Sequence, residues 1–158
     1  MLTVMVLLSI LFSGAIFGFF FAWVCSTMWG LDAADPRVAI KAMQAMNASV
    51  VNGVFAPAFF GTPLVLGATA ALAWGAHRPA ALAFLAGALV YLLGGMILTM
   101  LVNVPMNEAL AAQPAPDDPT EAARIWAAYS PRWQVWNQIR TVASGAALLL
   151  AGWGAMRL

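Results

Sequence analysis

Long uncharged apolar stretches dominate the residue pattern of this chain. Charged side chains are absent from residues 1–31, 42–77 and 79–107, and a shorter uncharged stretch covers 141–156. A helix needs about 20 apolar residues to cross a bilayer. We therefore predict four transmembrane helices, at about 4–28, 52–76, 79–102 and 134–156. Only helices and closed barrels span lipid, and the chain lacks the alternation of barrel strands, so the predicted fold class is all-α: an integral membrane four-helix bundle.

The two long connections, residues 29–51 and 103–133, follow the first and third predicted spans. With four spans they lie on the same side of the membrane. Asp35 followed by Pro36 is typical of a helix start, because aspartate caps the free N–H groups and proline fits the first helical position. We expect this helix to continue directly into the second span.

The second long connection predicts a turn followed by a short helix. Three prolines fall within residues 113–119, which indicates a break. Residues 120–129 have an amphipathic pattern, and Pro131 is expected to end that helix. The whole prediction is therefore a single membrane domain, residues 1–158, in which two short extramembrane helices cap one side of the bundle.

The composition supports a membrane protein and excludes several functions. Hydrophobic residues make up 63% of the chain and charged residues 8%, whereas a soluble domain has about 25% charged residues. A net charge of +1 without a basic run excludes an ordinary nucleic-acid binder. One cysteine excludes a disulfide framework, and one histidine excludes the usual His-rich metal centres. We predict no metal, so an enzyme of this sequence would work without one or use an organic cofactor.

The location and orientation follow from the chain ends and the basic residues. The first apolar stretch begins without Lys or Arg and is too long for a signal peptide, so we expect a retained span. Basic residues near span ends favour the cytoplasmic side. Arg78 and Arg157 lie next to spans, which places the termini in the cytoplasm, in the plasma or inner membrane of a bacterium. A simple count of Lys and Arg favours the reverse orientation.

Polar residues at the start of the fourth span are candidates for function. The uncharged core of this span has 16 residues, roughly 24 Å of helix, against a hydrocarbon layer of about 30 Å. The span must therefore include Asn137 and Arg140, which share a helix face with Trp133 and Trp136. An intramembrane arginine is a functional candidate. In the alternative interpretation, Arg140 reaches the headgroups and the tryptophans form an interface belt.

Amides from the other segments converge on the same end of the bundle. Asn103 and Asn107 flank Pro105, which is expected to break the third span. Amides also lead into the second span, at Gln44, Asn47 and Asn52. We predict one polar pocket at the long-loop end, and the alternatives are a network of interhelical hydrogen bonds and simple helix caps. The nearest carboxylate, Glu108, is expected to be solvated rather than a base.

The order of these motifs resembles a known family. The first motif is an early Gly/Phe-rich span, and the second is Met43-Gln44-Ala45-Met46-Asn47, followed by Asn52 and Phe55. The third is Asn103-Val104-Pro105-Met106-Asn107-Glu108. The last consists of Trp126, Tyr129 and the pattern Trp133-x-x-Trp136-Asn137-x-x-Arg140. Over about residues 5–155 the chain is similar to the anthrone oxygenase-like family of small four-span membrane proteins. Some members oxidise an anthrone to an anthraquinone, and many have no assigned substrate.

The resemblance implies a cofactor-independent oxygenase that uses dioxygen as co-substrate. The expected catalytic residues are Arg140, Asn137, Asn107 and Asn47, which would stabilise an oxyanion. The expected substrate-binding residues are Trp136, Trp133, Trp126, Gln44, Asn103 and Asn52. The partners would be a lipophilic aromatic molecule and the lipid bilayer, with small-residue helix faces available for a homo-oligomer. The alternatives are a non-catalytic binder of a quinone or lipid and a structural partner subunit.

Overall fold

The computed structural model describes all 158 residues as five helices with no strand. The helices, in chain order, are α1 Leu2–Ala33, α2 Pro36–Val50, α3 Phe55–Ala73, α4 Arg78–Ala111 and α5 Pro119–Ala155. The all-α prediction is therefore confirmed.

Three of the helices are long and apolar enough to cross a membrane, namely α1, α3 and α4. The most apolar 18-residue segments of these helices have mean hydropathies of 2.5, 1.5 and 2.3, which indicates a membrane protein. Helix α5 is the longest, at 37 residues, or roughly 55 Å at helical rise. It is less apolar because Asn137 and Arg140 lie near its middle. The predicted fourth span, 134–156, covers its second half and extends one residue beyond its end.

The four long helices pack around each other in a closed order. Helix α1 contacts α3 and α5, and α4 contacts the same two helices. Close approach of α4 to α5 depends on glycine: a Cβ at Gly94 would lie 2.7 Å from the Cβ of Ala143, and one at Gly87 would lie 3.3 Å from the carbonyl oxygen of Ala147. Gly18, by contrast, has open space around it, so the Gly14–Gly18 pair does not bring two helices of this chain together.

Helix α2 ends before α3 begins, so the expected continuous helix is wrong. The side chain of Asn52 explains the break, because its Oδ1 accepts the backbone N–H groups of Val54 and Phe55 at 2.9 and 3.0 Å and caps α3. The predicted start of α2 is confirmed. Asp35 accepts the backbone N–H of Arg37 at 2.9 Å, and hydrogen bonds from Arg37 lower the pKa of Asp35 to about 2.

The two prolines expected to interrupt helices do not. Helix α5 runs from Pro119 through Pro131, so the predicted short helix 120–129 is the first part of α5 rather than a separate cap. Pro105 lies inside α4 just after widened turns at Thr99–Asn103, where the N–H of Val104 bonds to the carbonyl of Thr99, five residues before it. Such widened turns accommodate local disruption of a helix and are frequent at functional sites.

Helix α2 packs across the first part of α5 and the last part of α4. The largest apolar cluster of the chain lies here, and its buried members include Met28, Ile40, Met43 and Trp126. This packing joins α2 to the ends of α4 and α5.

Candidate functional site

A partly open cavity of about 220 Å³ lies where all five helices meet. Its apolar wall is mostly aromatic and consists chiefly of Phe19, Phe20, Trp23, Phe55, Phe59, Phe60 and Trp133. Its polar side chains are Asn47, Thr99, Asn107 and Arg140. The cavity therefore combines stacking surfaces with a few hydrogen-bonding groups, as small-molecule sites do.

Arg140 is the charged group of this cavity and is only 5% exposed. Its Nε donates to Asn137 Oδ1 at 2.9 Å, and its Nη1 donates to Thr99 Oγ1 at 3.4 Å. The guanidinium carbon lies 4.3 Å from the ring centroid of Phe20 and 5.0 Å from that of Trp133. Aromatic faces attract a cation, so these rings hold the guanidinium towards the cavity.

The charge of Arg140 has no acidic partner in the chain. The two ion pairs that the chain forms, Arg37–Asp35 and Arg124–Glu121, both lie at the surface. A buried charge without a counter-ion is costly, and the contacts with rings and amides offset only part of that cost. The Nη2 of Arg140 has no hydrogen-bond partner within the chain. An anion in the cavity would therefore gain a charge-assisted hydrogen bond.

Asn107 is held in one orientation by two neighbours on α5. Its Oδ1 accepts the hydroxyl of Tyr129 at 2.8 Å and the indole N–H of Trp133 at 2.9 Å. Burial raises the pKa of Tyr129 above its ordinary value near 10. Tyr129 therefore remains a neutral donor, which keeps the amide of Asn107 fixed at the cavity wall.

Asn47 lines the cavity with an unused donor. Its Nδ2 is buried and has no hydrogen-bond partner. Leaving a buried donor unpaired costs about 1–3 kcal/mol. An oxygen atom of a ligand in the cavity would remove that cost.

Asn137 does not line the cavity but fixes Arg140 from behind. It is 1% exposed, and its Nδ2 donates to the carbonyl of Phe20 at 3.3 Å. Because the Oδ1 of the same amide accepts from Arg140, Asn137 links the guanidinium to the backbone of α1. The side chain is a positioning group in this geometry.

Three of the predicted amides have other roles. Gln44 donates from Nε2 to the carbonyls of Leu110 and Gln113 at 2.8 and 2.9 Å, which closes the end of α4. Asn52 caps α3 and lies on a separate cleft. Asn103 is fully buried away from the cavity, with neither side-chain polar atom bonded. None of the three side chains lines the cavity.

Two of the three predicted tryptophans also lie elsewhere. Trp136 is half-buried and does not line the cavity. Trp126 donates its indole N–H to Asp32 Oδ1 at 2.9 Å. Asp32 also accepts the hydroxyl of Ser130 at 2.6 Å and the amide of Gln134 at 2.9 Å, which ties the end of α1 to α5. Glu108 is exposed and outside the cavity, so it does not neutralise Arg140.

Sequence reasoning did not assign the phenylalanines of α1 and α3 to the site. The Phe-rich run of α1 resembles an interface belt, yet Ile16, Phe20 and Trp23 share a buried helical face. Their spacing of four and then three residues was the available signal. The hydrogen bonds of Asp32 could not be recognised from local sequence spacing, because its partners lie almost one hundred residues further along the chain.

The cavity can hold a flat aromatic ligand and stabilise negative charge on it. No carboxylate, imidazole or thiol lines it. The cavity residues thus supply stacking, hydrogen-bond donors and one cation, rather than a conventional general base.

Comparison with known proteins assigns a family to this site. The sequence model of a family described as anthrone oxygenase matches residues 52–150. The matched range includes α3, α4 and most of α5, and with them Thr99, Asn107, Trp133 and Arg140. Comparisons with curated proteins and with solved structures found no match. Because the match extends over more than half of its length, the chain belongs to the anthrone oxygenase family.

Proposed function

We propose that the protein is an oxygenase that oxidises an anthrone-like polycyclic phenol with dioxygen, without a metal or organic cofactor. The observation that carries the proposal is the buried Arg140, which faces an aromatic cavity without an acidic partner. Membership of the anthrone oxygenase family supports the reaction class.

The proposal includes a complete membrane bundle. We infer that the second half of α5 is a fourth span, and that α2 and the first part of α5 cap the bundle. Two observations support this arrangement: α5 packs on α1 and α4, and Asn137 and Arg140 are shielded from the surroundings of the helix. Covering the polar groups lowers the cost of placing them at membrane depth.

In the proposed complex, the aromatic rings of the substrate lie among the phenylalanines of the cavity and Trp133. The substrate oxygen lies against Arg140, whose Nη2 is free to donate. Arg140 then lowers the pKa of the bound enol and favours its enolate. Stabilising charge that develops in a water-poor site is among the largest contributions to catalysis.

The chemistry balances with dioxygen as the only oxidant. The enol of the anthrone releases its proton to water and becomes an electron-rich enolate. The carbon opposite the oxyanion donates an electron pair to dioxygen, a C–O bond forms, and protonation gives a hydroperoxide. Loss of water, made from the carbon-bound hydrogen and the terminal hydroxyl, breaks the O–O bond and leaves the quinone. One dioxygen is consumed, and the products are one quinone and one water.

The first test replaces the cation. Arg140→Gln in lipid nanodiscs should lower the rate of dioxygen-dependent anthrone oxidation by about 10²–10³-fold, the loss typical of removing one oxyanion-stabilising donor. Asn137→Ala should also lower the rate, because it frees Arg140 from its fixed position. The measurements are oxygen consumption and quinone formation, with thermal unfolding as a check on folding.

The matched control for this test is Arg132→Gln. Arg132 lies two turns earlier on the same helix, is exposed and does not line the cavity. We expect it to keep the wild-type rate. A folded Arg140→Gln protein that oxidises anthrone as fast as Arg132→Gln would contradict the proposal.

A second candidate is a carrier or sensor that binds a quinone or lipid without converting it. The absence of a carboxylate or imidazole from the cavity wall favours this candidate. Mass spectrometry of the purified protein distinguishes the two. A ring compound that co-purifies and is still unchanged after incubation with dioxygen would favour the carrier, whereas a quinone product that appears over time would favour the oxygenase.

A further inference from the structure

A second space adjoins the cavity and has no role in the chemistry above. It is a cleft of about 540 Å³ between α1 and the turn that joins α2 to α3. The cleft and the cavity share four wall residues, Phe19, Trp23, Val50 and Phe55. The two spaces are therefore neighbours that meet at these residues.

Two of the shared wall residues form a pair of rings. The ring centroids of Phe19 and Phe55 lie 4.8 Å apart, and Phe55 stacks in turn on Phe59 at 5.2 Å. Phe19 and Phe55 are only half-buried. Rotation of partly exposed side chains is fast, on the picosecond to nanosecond scale. Movement of these two rings would join the cleft to the cavity.

The cleft extends along the apolar stretch of α1. Ala15 and Ala22 line it, are exposed, and lie within the apolar stretch of α1. An exposed face of a membrane-spanning helix contacts lipid chains. Towards the end of α2 the cleft is bordered by the polar side chains of Ser49 and Asn52, so its opening changes from apolar to polar along its length.

We propose that the cleft is an entry site for flat, apolar aromatic molecules dissolved in the bilayer, which pass between Phe19 and Phe55 into the cavity. The inference rests on the proposed function, in which the cavity is where the substrate reacts. It adds the source of the substrate, which is the lipid phase, and a binding site that precedes the reaction.

The test fills the cleft without touching the cavity. Ala22→Trp and Ala15→Trp place an indole in the cleft, and Leu11→Trp adds the same group to an exposed part of α1 outside it. The probe is anthracene, a three-ring hydrocarbon with no oxygen to oxidise, added to protein in lipid nanodiscs. Its arrival is monitored by the change in the fluorescence of anthracene itself, excited at wavelengths that tryptophan does not absorb.

We expect Ala22→Trp and Ala15→Trp to slow association by about one order of magnitude, within the range that mutations of one binding surface produce. Leu11→Trp should keep the wild-type association rate. Phe55→Ala removes one of the two rings between the cleft and the cavity, so it should raise the association rate. Unchanged association rates in both cleft variants, or no binding of anthracene by the wild type, would overturn the entry site.

The test of the entry site can be separated from the test of the oxygenase proposal. If the wild type oxidises anthrone but the cleft variants bind anthracene at the wild-type rate, only the entry site is overturned. If cleft variants slow anthracene binding while the wild type leaves anthrone unchanged, the entry site stands and the oxygenase is overturned.

Discussion

Asn107 and Asn47 carry the same amide on the same cavity but differ in hydrogen bonding. Asn107 accepts two buried donors, whereas Asn47 has a buried donor with no partner. Replacing Asn107 with leucine should lower the free energy of unfolding by about 2 kcal/mol or more, because each orphaned donor costs about 1–3 kcal/mol. The measurement is chemical or thermal unfolding in detergent.

The matched variant is Asn47→Leu. Removing an unpaired polar group in favour of an apolar group of the same shape is close to neutral or stabilising. Equal destabilisation by the two variants would contradict this account. Under the proposed function, Asn47→Leu should still weaken binding of an oxygen-bearing ring compound, which separates its role in binding from its role in stability.

Tyr129 predicts how stability responds to alkaline pH. Burial raises its pKa in the folded protein above the value near 10 that it has in the unfolded chain. The folded state therefore holds this proton more tightly. That stability is fully present below pH 10 and is lost as pH rises from there towards the folded pKa, because the unfolded chain ionises first. Tyr129→Phe removes the effect, so its melting temperature should fall less than that of the wild type between pH 9 and pH 11.5.

The residues of the site were only partly predictable from the sequence. Arg140 was identifiable because the uncharged core of its helix is too short for a bilayer. The place of Asn137 beside Arg140 was predictable because the two residues are three positions apart on one helix face. Trp126 lies outside the cavity because its position is set by Asp32, a partner 94 residues earlier in the chain. Contacts over such distances depend on the assembled fold, and neither spacing nor propensity reveals them.

At the scale of elements, the approach of α4 to α5 is controlled by small side chains. Gly94→Ala would place a Cβ 2.7 Å from that of Ala143, so the two helices must move apart. Overpacking of this kind costs about 1–3 kcal/mol. We expect a lower melting temperature in Gly94→Ala.

Gly67→Ala is the control for this prediction. Gly67 is also inside a helix, and a Cβ there meets no atom within 4 Å. Alanine restricts the unfolded chain, so this substitution should stabilise the protein by about 0.4–1 kcal/mol. If the two variants changed the melting temperature in the same direction, close contact between α4 and α5 would not be the limiting feature.

The ends of the helices show which local signals dominate. The Asp-Pro start of α2 was predictable, because an N-terminal cap acts over two or three residues. Pro105 and Pro131 were misjudged as helix ends. In α4 the widened turns before Pro105 absorb the missing backbone donor, and in α5 packing on α1, α2 and α4 compensates for the disruption. Tertiary contacts outweigh the cost of a proline inside a helix, which is about 3 kcal/mol.

For the whole molecule, the number of spans decides where the chain ends lie. Four spans place both ends on one side of the membrane, and three spans place them on opposite sides. The test labels single cysteines in intact vesicles, in a Cys25→Ser background. With four spans, Thr3→Cys and Arg157→Cys should react from the same side.

Two internal positions calibrate this measurement. Ala76→Cys, in the turn between α3 and α4, should label together with the chain ends, and Asp117→Cys, between α4 and α5, should label from the opposite side. Labelling of Arg157→Cys together with Asp117→Cys would show that α5 does not cross the membrane.

The unpaired charge of Arg140 also has a consequence for how the protein is made. An arginine in a membrane span adds to the cost of insertion by the translocon, by about 2.5–3.5 kcal/mol when it lies at the centre of the span and by less towards its ends. Helix α5 is synthesised after α1 and α4, which carry Phe20 and Thr99, the groups that contact its guanidinium. The earlier helices thus form a receptive surface for α5 before it leaves the ribosome. Insertion of α5 should be cooperative with them, and the order of helices along the chain then also serves as the order of assembly.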